Sequence, residues 1–457
     1  MCGIAGIVDS KGRFLPLQPL EAMSLALQHR GPDGDGIYRF PLGGPTAKPG
    51  QSAVGLVHRR LSIIDLEGGH QPMANEDGTV WVVFNGEIYN FRELRTELEA
   101  RGHRFQTHSD TEVLVHGYEE YGEALVEKLR GMFAFALWDQ RRERLLLARD
   151  RIGKKPLLYA IVDGLLVFAS EFRALLASGM VPREVDWEAI RQYLAWLCIP
   201  APRTAFRQVQ KVPPAHYLVF ERGKIKIVRY WKLTYTPKWT FSETEAQECL
   251  LDHLTEAVRV RLESDVPLGV FLSGGIDSSA VVGLLSQQTK DPIRTFSIGF
   301  DETTYNELPY AREVAARFDT VHQELVVRPR AIEVLPILVD RFGEPFADSS
   351  AIPSYYLAQM ARQHITVALN GDGGDEVFAG YKRHLGMVLA DKIQRWLHPG
   401  GVAALRYLFR GLPAWVGRHS WWGSLQRFIE ASHLPSHERY QRWVGYFSDA
   451  MQKELWG

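Results

Sequence analysis

The segment that most constrains the fold lies between Val266 and Ser279. An apolar run, Val266–Leu272, passes directly into Ser273-Gly274-Gly275-Ile276-Asp277-Ser278-Ser279. The run reads as a buried strand, the glycines as a turn, and a helix is predicted from Ser278. Thr295–Ile298 reads as another strand. Ile365–Leu369 reads as a third, and it too ends in a glycine turn, Asn370-Gly371-Asp372-Gly373-Gly374-Asp375-Glu376. Strands alternating with helices, with glycine loops at strand carboxyl ends, predict an open parallel α/β sheet. A helical pattern beginning at Glu243 leads into it.

The first loop has the chemistry of an anion site, because turn N–H groups and a helix N-terminus converge on one point. Ser273, Ser278 and Ser279 add hydroxyl donors. Asp277 repels phosphate but can hold a hard cation that bridges phosphate oxygens. The loop lacks the Gly-Lys-Ser/Thr ending of a Walker motif, which disfavours simple γ-phosphate transfer. A tight turn capping an ordinary helix is the plain alternative. The second loop, placed after a parallel strand of the same sheet, offers Asp375 as a further metal ligand beside Asp277.

The chain before about residue 210 has a different texture: short β segments with turn punctuation. Ile4–Val8, Val80–Phe84, Phe133–Leu137, Leu145–Ala148 and Leu165–Phe168 are candidate strands. Helical periodicity is confined to stretches such as Leu20–Gln28, Phe91–Arg101 and Thr111–Tyr121, and Pro41–Gln51 reads as an exposed loop. The expected organisation is therefore a first domain over 1–210, a connection over 211–240 and a second domain over 241–457. A length of 457 residues agrees with more than one domain.

Cys2 follows the initiator Met directly. With Met1 removed, the thiol and a free α-amine belong to one residue, and an amine with a reference pKa of about 7.7–8.0 can act as a general base. Alone, a cysteine at position 2 is a weak signal. Asn85-Gly86, at the end of the Val80–Phe84 strand, can supply an oxyanion hole from the Asn amide and the Gly N–H. Arg60 can pair bidentately with a substrate α-carboxylate, and Asp110 can hold an α-ammonium. Both also fit blander roles, a surface ion pair for Arg60 and a helix cap for Asp110.

Composition narrows the function classes. Net charge is −1, giving no bulk argument for a nucleic acid or an acidic membrane as partner. Three cysteines, Cys2, Cys198 and Cys249, fit a reducing compartment, and zinc is not expected because the cysteines and histidines lack ligand spacing. No apolar run approaches the roughly 18 residues that a membrane span needs. Met1-Cys2-Gly3-Ile4 has no basic region or cleavage motif, so a cytoplasmic protein is expected. The aromatic and arginine-rich stretch Trp396–Trp422 is interrupted by Pro399, Gly400, Gly401, Gly411 and Pro413, which favours packed helices over an interfacial one.

Met1-Cys2-Gly3-Ile4-Ala5-Gly6, His29-Arg30-Gly31-Pro32-Asp33, Arg60-Leu61-Ser62-Ile63, Asn85–Asn90 and Ser109-Asp110-Thr111-Glu112 occur in the order of a class II glutamine amidotransferase domain, which this region resembles. Ser-Gly-Gly-x-Asp-Ser resembles the signature of ATP pyrophosphatases. Together, over nearly the whole chain, they resemble the glutamine-hydrolysing asparagine synthetase family. The resemblance implies an N-terminal nucleophile hydrolase sandwich followed by an ATP-pyrophosphatase-like sheet. It implies Cys2 as nucleophile, Asn85 and Gly86 as oxyanion hole, and Arg60, Glu87 and Asp110, with Asn85 and Gly86, around glutamine. ATP would lie on Phe271, Ser273, Gly274, Gly275, Asp277, Ser278, Ile298, Asn370 and Gly371, with Gly299 beside Ile298. Mg²⁺ would sit on Asp277 and Asp375, and Asp372 would serve the adenylation step. The implied reaction forms β-aspartyl-AMP from ATP and aspartate. Ammonia released from glutamine converts it to asparagine, with AMP, pyrophosphate and glutamate as the other products. A homodimer is the family expectation.

Three departures accompany the resemblance. Asn370 stands where the family usually has Ser, and Asp372 where it usually has Glu. The family usually continues through further helices bearing a lysine that contacts the intermediate, whereas this sequence stops at Trp456-Gly457. A shortened C-terminus is expected, with substitution by a lysine such as Lys382 as the alternative. Rival readings are an amidating ligase acting on a cell-wall or exopolysaccharide carboxylate, with Phe346–Ser350 helping to shape the acceptor pocket, and a non-catalytic binding protein on the same fold. The Ser273–Ser279 loop argues against sugar and phosphoribosyl amidotransferases, and the retained Cys2 set argues against a β-lactam-forming relative.

Overall fold

The computed structural model describes residues 1–41, 52–301, 306–328, 330–396, 421–447 and 449–456. The loop expected at Pro41–Gln51 and most of the Trp396–Trp422 stretch lie outside the described residues. By internal contacts the chain forms two compact units. The first comprises Met1–Asp186, Ala201–Glu344 and Ser349–Asn370, and the second Trp187–Pro200, Pro345–Asp348 and Gly371–Gly457.

The first unit opens with β1 (Gly3–Asp9), α1 (Leu17–Ala26), β2 (Gly34–Pro41), β3 (Ser52–Arg60), β4 (Met73–Ala74) and β5 (Val80–Ile88). Helices α2 (Phe91–Ala100), α3 (Glu112–Tyr121) and α4 (Leu125–Lys128) follow, then β6 (Gly131–Asp139), β7 (Arg144–Arg149), β8 (Leu158–Val162), β9 (Leu165–Ala169) and α5 (Phe172–Ala177). Two antiparallel six-stranded sheets result. One has the order β10-β8-β9-β1-β3-β2 and the other β12-β11-β7-β6-β5-β4, where β10 is Val209–Lys211, β11 His216–Glu221 and β12 Lys224–Arg229.

Alternation along the strands explains why two sheets stack between helices. On β6, Ala134, Ala136 and Trp138 enter the core between the sheets, while Phe133, Phe135 and Leu137 face the core under α2 and α3. On β1, Ile4 and Val8 enter the inter-sheet core, and Ala5 and Ile7 pack with Leu20, Met23 and Phe172 from α1 and α5. A strand with both faces covered reads as an unbroken apolar run, as Phe133–Leu137 does. The five strands predicted before residue 210 therefore form, each a residue or more longer, whereas the predicted Val266–Leu272 and Ile365–Leu369 strands form as the shorter Leu268–Phe271 and Val367–Leu369. The sheets also continue through β12 to Arg229, beyond residue 210. The connection was read from Lys211-Val212-Pro213-Pro214 and Thr234–Thr240, whereas the largely exposed strand Lys224–Arg229 between them pairs with β11.

The parallel sheet follows. Helix α7 (Glu243–Arg259) starts at a capping box in which the Ser242 hydroxyl accepts the Glu245 N–H and the Glu245 carboxylate accepts the Ser242 N–H. Then come β13 (Leu268–Phe271), α8 (Ile276–Ser286), β14 (Arg294–Phe300), α9 (Leu308–Arg317), β15 (Val321–Val327), α10 (Ala331–Phe342), α11 (Ala351–Ala361) and β16 (Val367–Leu369). The order β15-β14-β13-β16 is parallel throughout. Sequence reading missed β15, whose middle residues are neither clearly apolar nor alternating.

In the second unit, α6 (Trp187–Trp196) joins α12 (Gly374–Phe378), α13 (Lys382–Trp396), α14 (Trp421–Ala431), α15 (Ser436–Val444) and α16 (Asp449–Trp456). Arg439, fully buried, anchors it by donating to Asp391 at 2.7 Å and to the Leu434 carbonyl at 3.0 Å.

Candidate active site

A cavity of about 300 Å³ opens where the first strands of the two antiparallel sheets end. Cys2 precedes β1, Asn85 and Gly86 lie on β5, and Asp110 precedes α3; all of them, with Arg60 and Glu87, line the cavity. The Leu61 N–H donates to the Cys2 thiol at 3.4 Å, while burial pushes the thiol pKa up. Asn85 is 1% exposed and its Nδ2 has no hydrogen-bond partner, although it borders the cavity. An orphaned amide donor beside a thiol is what an oxyanion hole needs when no substrate is bound. A side chain at Gly86 would collide with the Met132 carbonyl on β6, so this position admits only glycine.

Charge in the cavity is governed by burial. Burial raises the Asp110 carboxyl to about 7, against the Ile88 N–H donating at 2.9 Å. It also raises Glu87, opposed by the charge of Lys155, and lowers Lys155. The α-amine, here on Met1, is driven down to about 5 by the same desolvation.

Arg60 reaches the cavity, but its guanidinium also braces the following loop. Nη1 donates to the Leu66 carbonyl at 2.9 Å, and Nη2 to Asp65 at 2.5 Å and Ile64 at 3.2 Å. That loop is fastened to the segment entering β13. The Asp65 N–H donates to Asp265 Oδ2 at 2.7 Å, and the Asp265 N–H to the Ile63 carbonyl at 2.9 Å. Thr366, Val367 and Ala368, at the start of β16, complete the cavity wall, so the parallel sheet borders the same space as Cys2.

The glycine loop after β13 is the second element. Gly274 has φ +81°, and a Cβ there would sit 2.6 Å from the Ala311 nitrogen, so the turn requires glycine. Ser273 Oγ and Ser278 Oγ lie 3.0 Å apart, and the Gly275 N–H donates to Ser273 Oγ at 3.2 Å. Ser279 Oγ is buried without a partner. A cradle closed to any side chain, fringed by hydroxyls and opening α8, fits a phosphate. Asp277 lies in the first turn of α8. Phe271 ends β13, and Ile298 and Gly299 lie on β14. Asn370 closes the first unit, whereas Gly371, Asp372 and Asp375 belong to the second. There the turn bends through Gly373 at φ +98°, and the Asp375 carbonyl accepts the Gly380 N–H at 3.0 Å.

Comparison with known proteins agrees with both halves. The glutamine amidotransferase domain family matches residues 1–231, and the asparagine synthase family matches 250–454. A Methanocaldococcus jannaschii relative is 36% identical over 422 residues, spanning 86% of this chain and 78% of its own length. This chain belongs to the glutamine-hydrolysing asparagine synthetase family. Asparagine synthetase [glutamine-hydrolyzing] 1 of Bacillus subtilis is 40% identical over 390 residues, which cover 83% of this chain and 59% of that protein. "Amidase chry2" of Gibberella zeae is 32% identical over 432 residues, 87% of this chain and 62% of its own length. The chain thus spans about three-fifths of the length of the Bacillus synthetase.

Sequence reasoning missed several residues that hold this family's site in shape. Arg30 Nε donates to the Cys2 carbonyl at 2.9 Å, and its Nη1 to Glu171 at 2.7 Å. His58, fully buried, lies with Nε2 3.1 Å from the Phe84 carbonyl and so ties β3 to β5 next to Asn85. Its imidazole is kept neutral, its pKa driven to about 3 by burial. Asp33 accepts the Ser62 N–H at 2.9 Å. The signal was present, since Arg30 and Asp33 lie in a quoted motif and His58 two residues before another, but partners 26 to 141 positions away are set by folding.

Proposed function

We propose that this chain hydrolyses glutamine at Cys2 and passes the ammonia to an ATP-activated aspartate, yielding asparagine, glutamate, AMP and pyrophosphate. The observation carrying this reading is the single cavity bordered by Cys2, the orphaned Asn85 amide and the first residues of β16. A donor site walled by the sheet that carries the phosphate loop suits transfer of ammonia without its release to water, where it would be protonated.

In the first step Cys2 Sγ attacks the glutamine carboxamide carbon. The thiol proton passes to the residue 2 α-amine exposed by removal of Met1, and thence to the departing ammonia as the C–N bond breaks. An α-amine with a reference pKa of about 7.7–8.0 is partly unprotonated near neutral pH, as a base requires. The Asn85 amide and Gly86 N–H receive the developing oxyanion. Asp110 and Glu87 hold the substrate ammonium and Arg60 its carboxylate. Water then cleaves the thioester and frees glutamate.

Ser273, Gly274, Gly275 and Ser278 are proposed to hold the ATP phosphates, with Phe271, Ile298 and Asn370 about the nucleoside. Mg²⁺ on Asp277 would neutralise phosphate charge when bound. Asp372 is assigned to the adenylation step. Three free cysteines support a reducing, cytoplasmic setting. Among the described residues, no helix is long and apolar enough to cross a membrane.

The test measures glutamate, pyrophosphate and asparagine together, with glutamine, ATP, Mg²⁺ and aspartate, on protein verified to begin at Cys2. Equal rise of all three supports the proposal. Glutamate without pyrophosphate points to another acceptor carboxylate, and no glutamate overturns the enzyme reading.

A further inference from the structure

On the far side of α3 from the sandwich core, four side chains from three separate segments converge. Glu76 lies in the turn between β4 and β5, and His103 in the segment after α2. His116 and Glu119, one helical turn apart on α3, share a face. One ligand atom from each of the four lies within 4.8 Å of all the others. His116 Nδ1 is 3.4 Å from Glu76 Oε2 and 3.5 Å from Glu119 Oε2, and His103 Nδ1 is 3.8 Å from Glu119 Oε2. A tetrahedron of bonds of about 2.0–2.2 Å has edges of about 3.3–3.6 Å. Two of these three edges already match that length.

An independent observation points the same way. His116 is 1% exposed, and its buried Nδ1, aimed into the cluster, faces Glu76 and Glu119 at ion-pair distance without a well-formed hydrogen bond to either. The other ring nitrogen, Nε2, lies 3.4 Å from Glu112 Oε1. Against the effect of burial, Glu112, Glu119 and Glu76 together raise the His116 pKa to about 9, so a metal at Nδ1 would displace a proton while Glu112 keeps its place behind Nε2. The remaining groups are also oriented from behind. The Asn75 amide donates to Glu119 Oε1 at 2.7 Å, and the Arg104 N–H donates to Glu76 Oε1 at 2.9 Å. His103 Nε2 lies 3.7 Å from Glu120 Oε2. Each carboxylate thereby keeps its second oxygen for the centre of the cluster.

We propose that Glu76, His103, His116 and Glu119 form a binding site for a zinc-class divalent ion, separate from the glutamine cavity and the phosphate loop. Two imidazoles with two carboxylates suit Zn²⁺ better than Mg²⁺ or Ca²⁺, which prefer oxygen ligands alone. The two carboxylates neutralise the ion. All four positions are filled by protein, the pattern of a structural site. The ion would pin the β4–β5 turn and the α2–α3 segment to α3, the helix that Asp110 precedes. Linear spacing cannot reveal such a site, because residues 76, 103 and 116 meet only through the fold.

The experiment uses the full chain carrying Cys2→Ala, so that a terminal thiol and amine cannot chelate. Chelator-treated protein is dialysed against Zn²⁺ in excess Mg²⁺, and bound metal is measured by elemental analysis. About one zinc per chain, a zinc-dependent rise in Tm, and tetrahedral visible absorption with Co²⁺ are expected. His103→Gln and Glu119→Gln, at partly exposed positions that leave the fold intact by circular dichroism, should bind at least about 100-fold more weakly. Glu112→Gln should weaken binding about 10–100-fold. Absence of retained zinc, or equal retention by the folded His103→Gln and Glu119→Gln proteins, would overturn the proposal and leave a buried histidine paired with carboxylates.

Discussion

The surroundings of Cys2 and the loop after β13 solve the same problem, holding a polar substrate, in opposite ways. Around Cys2 the chemistry is sunk into a core, with Asn85, Arg60 and Asp110 at 1%, 6% and 5% exposure. At the glycine loop, Ser273 and Gly275 are exposed and Ile276 is 89% exposed. The buried site gains its power from desolvation, which moves pKa values and leaves a donor unpaired at the expense of stability. The open loop gains its power from backbone shape, and it needs glycine where any other residue would close the cradle. This chain thus keeps the surroundings of Cys2 as a buried pocket and the glycine loop as an exposed turn.

The largest effect that would sharpen this contrast comes from Cys2→Ala. It should abolish glutamate release while ammonia-dependent pyrophosphate release persists at its original rate, measured side by side. Loss of both together would break the division between the sites. Gly274→Ala should do the converse: strain of about 1–3 kcal/mol at φ +81° should lower ATP-dependent pyrophosphate release about 10–100-fold and spare glutaminase.

The pH dependence separates the sites next. If Asp110 must be ionised to hold an ammonium, kcat/KM for glutamine should fall about tenfold per pH unit below about 7. Because its folded pKa lies above the unfolded value of about 3.9, the folded state binds more protons between the two values, and stability should fall as pH rises through that window. Asp110→Asn, able to keep the Ile88 contact, should therefore raise Tm above pH 7 while weakening glutamine use, read by thermal melts and steady-state kinetics. An unchanged Tm would argue against burial as the source of the shift. The smallest effect is expected from Asp265→Ala, which removes an exposed acceptor of the Asp65 N–H. About 0.5–1.5 kcal/mol of loop fastening should be lost, with KM for glutamine rising a few-fold and kcat nearly constant.

Much of this was legible in the sequence. Strands such as Phe133–Leu137 are apolar at every position because both faces are covered, and composition alone reports that. Ser242 and Glu245 announce the start of α7 three residues apart, a purely local device. The residues around Cys2, Asn85 and Asp110 were recognisable because each motif is contiguous. The β10–β12 strands and β15 were not: β10 is only three residues long, the alternation of β12 sits on a largely exposed strand, and the middle of β15 is polar.

The sequence by itself determined which chemistries can be proposed for this chain, because a cysteine at residue 2, an Asn-Gly strand end and a Ser-Gly-Gly-Ile-Asp-Ser turn are features of short-range geometry. Only the tertiary structure decided what surrounds them. Burial raises Asp110, leaves Asn85 unpaired, binds Arg30 to Glu171 and gathers Glu76, His103, His116 and Glu119 around one point. Desolvation and long-range pairing belong to the packed chain as a whole, and no window of residues encodes them.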